Sequence, residues 1–198
     1  AKYGLFLHYA LGSLLPGGKP EIKKSRIDWK EKFQQFTAER FHAGAIADLA
    51  LAARMRYINL TTRHLGGMCL YRTATTNFTS VESPCRRDLV GEMARACHER
   101  GLGFFAYVPP EMARSDDAIF ETNKMQLSEL LTQYGPLAGV WFDGIGYYYK
   151  EPERYSRLAE TFALVRSLQP PCLISFKNGA LGEEDFLAPE HTFERTRG

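Results

Sequence analysis

The stretch Tyr134-Gly-Pro-Leu-Ala-Gly-Val-Trp-Phe-Asp-Gly144 reads as the end of a helix, a turn, a short apolar strand and an acid at the strand's exit. The apolar run of Gly139-Val-Trp-Phe142 shows no alternation, which marks a strand buried on both faces, as in parallel sheets covered by helices. An acid ending such a strand beside Trp141 aims its carboxylate at the strand's C-terminal mouth and has one apolar wall. On these residues alone Asp143 reads equally as a functional carboxylate and as the cap of the helix that follows.

Four further runs repeat the pattern: Tyr3 to Tyr9, Tyr57 to Thr61, Gly103 to Val108 and Cys172 to Phe176. Between them, helical spacing links Ile46, Leu49, Ala50 and Ala53, then Leu89, Met93 and Cys97. It recurs in Leu127, Leu130, Leu131 and Tyr134, and in Tyr155, Leu158, Phe162 and Val165. Gly101 and Gly135 fall where a left-handed cap ends a helix. Strand and helix in alternation predict an α/β protein of the (β/α)8 TIM-barrel type.

Long polar loops at 11–35 and 65–86 each follow a strand, and in a barrel the βα loops build the active face. Eight strands need roughly 250 residues, whereas this chain has 198 and five visible runs. The expectation is one catalytic domain over residues 1–198, short or incomplete at its C-terminal end. It is either part of a longer enzyme or a short form whose open edge is covered by another subunit. The latter predicts a homo-oligomer, because an unpaired strand edge invites association.

Composition narrows the partners. Lys plus Arg number 25 against 23 Asp plus Glu, without a run of like charge, so neither nucleic acid nor an anionic membrane is expected to bind. The chain shows no membrane-length apolar segment or signal sequence, and a soluble protein is expected, the cytoplasm being favoured over other compartments. Cys69, Cys85, Cys97 and Cys172 match no metal or redox spacing and are expected as free thiols, with no metal or cofactor implied.

The residues at or just past the five strand ends are His8, Arg63 and His64, Tyr107, Asp143 and Lys177. Polar residues beyond every strand converge on one mouth, which is how catalytic sets are assembled in this fold. Cleavage of a glycosidic bond needs two carboxylates, one to attack the anomeric carbon and one to protonate the leaving oxygen. Glu190, in Asp185-Phe-Leu-Ala-Pro-Glu190, is the candidate partner for Asp143. A Glu so near a terminus reads otherwise as a solvated surface residue.

Six segments together carry a resemblance. They are Tyr3-Gly-Leu-Phe-Leu-His8, Tyr57-Ile-Asn-Leu-Thr-Thr-Arg-His64, Arg87-Asp-Leu-Val90, Gly101-Leu-Gly-Phe-Phe-Ala-Tyr107, Tyr134 to Gly144, and Asp185 to Glu190. In order and spacing this series resembles the retaining α-L-fucosidases over residues 3–190. The resemblance implies an exo-acting, metal-free glycosidase that removes terminal α-L-fucose from a glycan or glycoconjugate by double displacement. It places the nucleophile on Asp143, the acid/base on Glu190 and histidine contacts to the sugar on His8 and His64. Tyr107 and Trp141 line the same pocket.

Three departures accompany it. Leu65-Gly-Gly-Met68 replaces a second His and an Asp-Gly-Phe run, and Ser175-Phe-Lys177 replaces Asn-Asn-Arg, so that a point charge stands where the family has a bidentate fork. Asp28-Trp29 echoes a sugar-binding Glu-Trp pair with a side chain one methylene shorter. The alternative to an active fucosidase is therefore a degenerate barrel that binds a sugar, or serves as an assembly subunit, without hydrolysis. A phosphate-handling barrel is disfavoured, since no Gly-rich phosphate loop follows a late strand.

Overall fold

The apolar runs become strands β1 (Leu5–Leu7), β2 (Tyr57–Thr61), β3 (Gly103–Val108), β4 (Gly139–Phe142) and β5 (Leu173–Phe176), joined in chain order into one sheet. Every neighbouring pair is parallel. The computed structural model describes residues 3–15, 27–64, 66–109, 116–144 and 155–188. Among the described residues a 3-10 turn (Leu11–Leu14) and five helices fill the connections: α1 (Trp29–Gln34), α2 (Ala43–Ala52), α3 (Leu89–Glu99), α4 (Asp117–Gln133) and α5 (Tyr155–Leu168).

The sheet divides its side chains by the period-2 rule. Toward the helices point Ile58, Leu60, Phe104, Ala106, Val140, Phe142, Ile174 and Phe176, none more than 2% exposed. Leu89, Met93 and Cys97 of α3, Leu127, Leu130 and Leu131 of α4, and Leu158, Phe162 and Val165 of α5 join them in one core. Each large apolar side chain buried there stabilises the fold by about 1.5–3 kcal/mol. Gly101 and Gly135 have φ of 65° and 72°, the left-handed conformation expected after α3 and α4.

The opposite face carries the site. Phe6, Asn59, Phe105 and Gly139 form one row across the strands, and Thr61, Tyr107, Trp141 and Ser175 form the next. In a flat sheet β1 and β4 would lie about 14 Å apart, three strand spacings. Yet the rings of Phe6 and Trp141 are 5.0 Å apart, centroid to centroid. The sheet is therefore curled into an arc with this face on the inside, as in a barrel wall.

Among the described residues the arc does not close. Beyond β5, Asp185 donates its amide to Ile174 O (2.9 Å) and Ala188 donates to Lys177 O (2.9 Å), with Phe186 opposite Ser175 in parallel. This is the start of a sixth parallel pairing, which the sequence reading did not contain. At the foot of the inner face a cavity of about 520 Å³ is lined by Tyr57, Phe105, Leu173, Phe186 and Leu187.

One helix sits differently from its sequence reading. Only half of the stripe of Ile46, Leu49, Ala50 and Ala53 faces the core: Ala50 is buried with Ala43 and Ala47, and Ile46 packs against the core, while Leu49 is 66% exposed. The alanine row lets the helix backbone approach its neighbours closely. Close packing, rather than side-chain hydrophobicity, chooses the buried face.

Gly139 marks a tight point of the arc. A Cβ there would lie 2.1 Å from Phe105 Cε1 and 2.8 Å from the Leu173 carbonyl oxygen, which is backbone. Gly139→Ala is expected to destabilise the protein by about 1–3 kcal/mol, read as a lower midpoint in thermal or urea denaturation. An unchanged midpoint would mean that the β4–β5 pairing is looser than this register requires.

Candidate active site

Asp143 follows β4 directly, and its carboxylate is held from three sides. Tyr107, which stands opposite Trp141 on β3, donates its hydroxyl to Oδ2 at 2.6 Å. The Gly144 amide donates to Oδ1 at 2.6 Å. The Lys177 ammonium, from the turn after β5, pairs with Oδ1; the two side chains are 19% and 21% exposed. Burial alone would raise the carboxyl's pKa. The hydrogen bonds from Lys177, Tyr107 and Gly144 outweigh burial and hold it below the usual carboxylate range, so Asp143 is ionised at neutral pH.

Aromatic rings wall this carboxylate. Tyr107 and Trp141 stack at 5.5 Å and 19°, and the Lys177 ammonium lies 5.8 Å from the Trp141 ring. His8 and His64 meet edge to face at 5.0 Å, and both lie against Tyr107, at 5.7 and 5.5 Å. Thr61 fixes the strand that leads to His8: the Tyr9 amide donates to Thr61 Oγ1 at 2.9 Å, and the Thr61 hydroxyl donates to Tyr9 O at 2.6 Å. His8, His64, Tyr107, Trp141, Asp143 and Lys177 are thus brought together. Phe6 belongs to the same wall; it stands two residues before His8, and the strand period puts both on one face.

The remaining candidates are placed differently. Arg63 turns toward α4 and donates to Asn123 Oδ1 at 2.6 Å, anchoring the strand end next to His64. Asp28 caps α1, its Oδ1 accepting from the amides of Lys30 (2.9 Å) and Glu31 (3.1 Å). Trp29 packs over the turn after His64. A Cβ on Gly66 (φ 97°) would come within 2.8 Å of its ring, which gives Gly66 a packing cause, whereas Gly67 (φ 80°) is called for by its left-handed backbone alone. Glu190 lies outside the described residues.

Arg87-Asp88 is structural: Arg87 spans the Glu92 carboxylate and the carbonyls of Ala38 and Phe41, while Asp88 caps α3 through the Gly91 amide. The four cysteines are buried, and burial pushes the Cys97 and Cys172 thiols up to about 12, which leaves these two inert as nucleophiles. Among the described residues no group of His, Cys, Asp and Glu could hold a metal ion, and no helix is long and apolar enough to cross a membrane.

A curled parallel sheet with an ionised acid and an aromatic wall at its strand ends is the active face of a (β/α)-barrel enzyme. Residues 1–197 match the family model described as alpha-L-fucosidase, and the chain belongs to that family. It is 34% identical over 117 residues to putative alpha-L-fucosidase 1 of Oryza sativa subsp. japonica, covering 55% of this chain and 23% of that protein. It is 30% identical over 166 residues to alpha-L-fucosidase 1 of Arabidopsis thaliana, covering 77% of this chain and 32% of that one.

Among solved structures, alpha-L-fucosidase AlfC from Lactobacillus casei in complex with alpha-L-fucose product aligns with a TM-score of 0.80 at 25% identity. The alignment covers 98% of this chain and 73% of that one. A glycoside hydrolase 29 family member from an unknown rumen bacterium aligns with a TM-score of 0.68 at 29% identity, covering 88% and 33%. The chain spans between 23% and 39% of the length of the curated relatives it matches.

The lowered Asp143 pKa has a sign. Its contribution to stability is fully present above the unfolded value, about 3.9, and is lost as pH falls through the lower folded value. Asp143→Asn is expected to melt lower than the parent at pH 7, with a gap of about 1–3 kcal/mol that closes as the pH falls below the ordinary carboxylate range. Thermal melts of the two proteins across pH 2–7 check this, and a gap independent of pH would contradict it.

Proposed function

We propose that the chain carries the catalytic face of a retaining α-L-fucosidase that hydrolyses terminal α-L-fucosyl linkages of an oligosaccharide or glycoconjugate. Residues 1–198 are read as its catalytic unit. The observation that carries the reading is the Asp143 carboxylate, kept ionised at a mouth walled by His8, His64, Tyr107 and Trp141. The complexes of alpha-L-fucosidase AlfC with alpha-L-fucose product and with Fuca(1,6)GlcNAc support this glycone.

Asp143 attacks the anomeric carbon while Glu190 protonates the leaving oxygen, and Glu190 then activates water to hydrolyse the fucosyl ester. The described chain ends two residues before Glu190 at Ala188, whose amide bond to Lys177 O runs the segment alongside β5 toward the Asp143 end of the sheet. His8 and His64 hydrogen-bond sugar hydroxyls, and the Trp141 face takes the apolar side of the ring. Trp29 borders the site from the turn after His64, whereas Asp28 acts through its helix cap.

The second reading, a sugar-binding barrel without turnover, draws on two observations: a Lys where the resemblance leads one to expect Arg, and an Asp28 whose Oδ1 caps a helix. Release of p-nitrophenol from its α-L-fucoside separates the two. The parent is expected to turn over, Asp143→Gly to lose roughly three orders of magnitude or more in kcat, and azide to restore release as the fucosyl azide of opposite anomeric configuration. A parent inert on this and other aryl glycosides, yet retaining affinity for fucose, would establish the second reading.

A further inference from the structure

We propose that Lys177 is a positioning residue for the nucleophile: together with the Gly144 amide it occupies Asp143 Oδ1, and so reserves Oδ2 as the oxygen that bonds to the anomeric carbon. The proposal rests on the fucosidase reading and adds the division of labour between the two carboxylate oxygens. Each such oxygen offers two lone-pair sites. Oδ1 receives two donors, Gly144 and Lys177, and is full. Oδ2 receives only the Tyr107 hydroxyl among the described residues, which leaves one lone pair for a forming bond.

The backbone of Lys177 supports an aimed side chain rather than a solvated one. Its φ is 40°, left-handed, a conformation that costs a long side chain energy and persists only where the surroundings impose it. Those surroundings are the β5 strand before it and the Ala188 amide that bonds to its carbonyl at 2.9 Å. The stem then crosses toward β4, with the ammonium 5.8 Å from the Trp141 ring centroid. A point charge suits this position, since it holds one oxygen and leaves the other to the reaction. A bidentate fork is shaped to engage both oxygens of a carboxylate.

The chemistry gives Lys177 unequal weight in the two half-reactions. In the first, an Oδ2 lone pair bonds to C1, and the glycosidic bond breaks with its pair passing to the leaving oxygen, which takes a proton from the acid. Asp143 is then a neutral ester, and the ammonium has lost its counter-charge. In the second, water attacks C1 and gives its proton to the conjugate base of that acid, while the C1–Oδ2 pair returns to the carboxylate, restoring the ion pair. Lys177 therefore favours departure of Asp143 from the sugar more than its attack.

The test uses the full chain with Lys177→Met and Lys177→Arg. The carboxyl resonance of Asp143, assigned by its absence in Asp143→Asn and followed by carbon NMR against pH, is expected to titrate about one pH unit higher in Lys177→Met and close to the parent in Lys177→Arg. With the p-nitrophenyl fucoside, whose good leaving group makes the second half-reaction limiting, kcat is expected to fall roughly tenfold. kcat/KM should fall less, and the fucosyl-enzyme should accumulate in mass spectra. An identical Asp143 titration in parent and Lys177→Met overturns the proposal. So does a loss confined to KM, which would make Lys177 a sugar contact. If Lys177→Met fails to fold, Lys177→Gln serves the same comparison. A parent inert on every glycoside would sink the fucosidase reading and with it the role of Oδ2, whereas an unchanged titration in an active parent would sink the role of Lys177 alone.

Discussion

The carboxylate of Asp143 ties together three segments that are distant in sequence. Tyr107 reaches it from β3, Gly144 from the turn after β4 and Lys177 from the turn after β5. A half-buried carboxylate is costly unless its oxygens are satisfied, and here the ends of three consecutive strands supply the donors. The same bonds require the strand ends to stand level, which the parallel register provides by placing Tyr107 opposite Trp141 and Trp141 opposite Ser175. Fold and site thus constrain each other through one charge.

Curvature is the second constraint. Only a curled sheet brings Phe6 of β1 against Trp141 of β4 and sets His8 and His64 over Tyr107. Small side chains permit the curl where the inner face is most crowded: Gly139 yields its place to the Phe105 ring, and Ser175, fully buried, lies beside Trp141 in the same row. Asn59 Oδ1 and Ser175 Oγ are buried on this face without a hydrogen-bond partner. Two unsatisfied oxygens inside the arc are what an interior still open on one side would contain, since further inward-facing groups are needed to satisfy them.

The strands were legible because each is a short apolar run closed by Gly, Pro or a polar residue, and the site because those polar residues share one end of a parallel sheet. What the sequence hid follows from the kind of signal involved. α2 presents its alanines to the core, and a row of Ala carries too little hydrophobic contrast to outvote Leu49 in a periodicity reading. Phe186 to Ala188 is too short to register as a strand, and its pairing shows only in backbone hydrogen bonds. Arg63 looked like a member of the mouth, but a side chain of that length can reach either side of its strand, and the buried Asn123 draws it to α4. Asp28 was readable as a helix cap from its position before Trp29-Lys-Glu31, and the cap is where its carboxylate lies.

The charge on Asp143 bears on which of the two functional readings the physics favours. An Asn in its place would present a carbonyl oxygen to Tyr107 or Gly144 without the burden of desolvating an anion, and a neutral residue at 177 would remove the matching burden of the ammonium. A barrel retained only to bind sugar gains little from the ion pair, because neutral hydroxyls are recognised well by amides and imidazoles. An acid that must form and then release a covalent bond to carbon needs the charge, and it needs a cation that stabilises the carboxylate as it departs. The arrangement at the ends of β3, β4 and β5 supplies both.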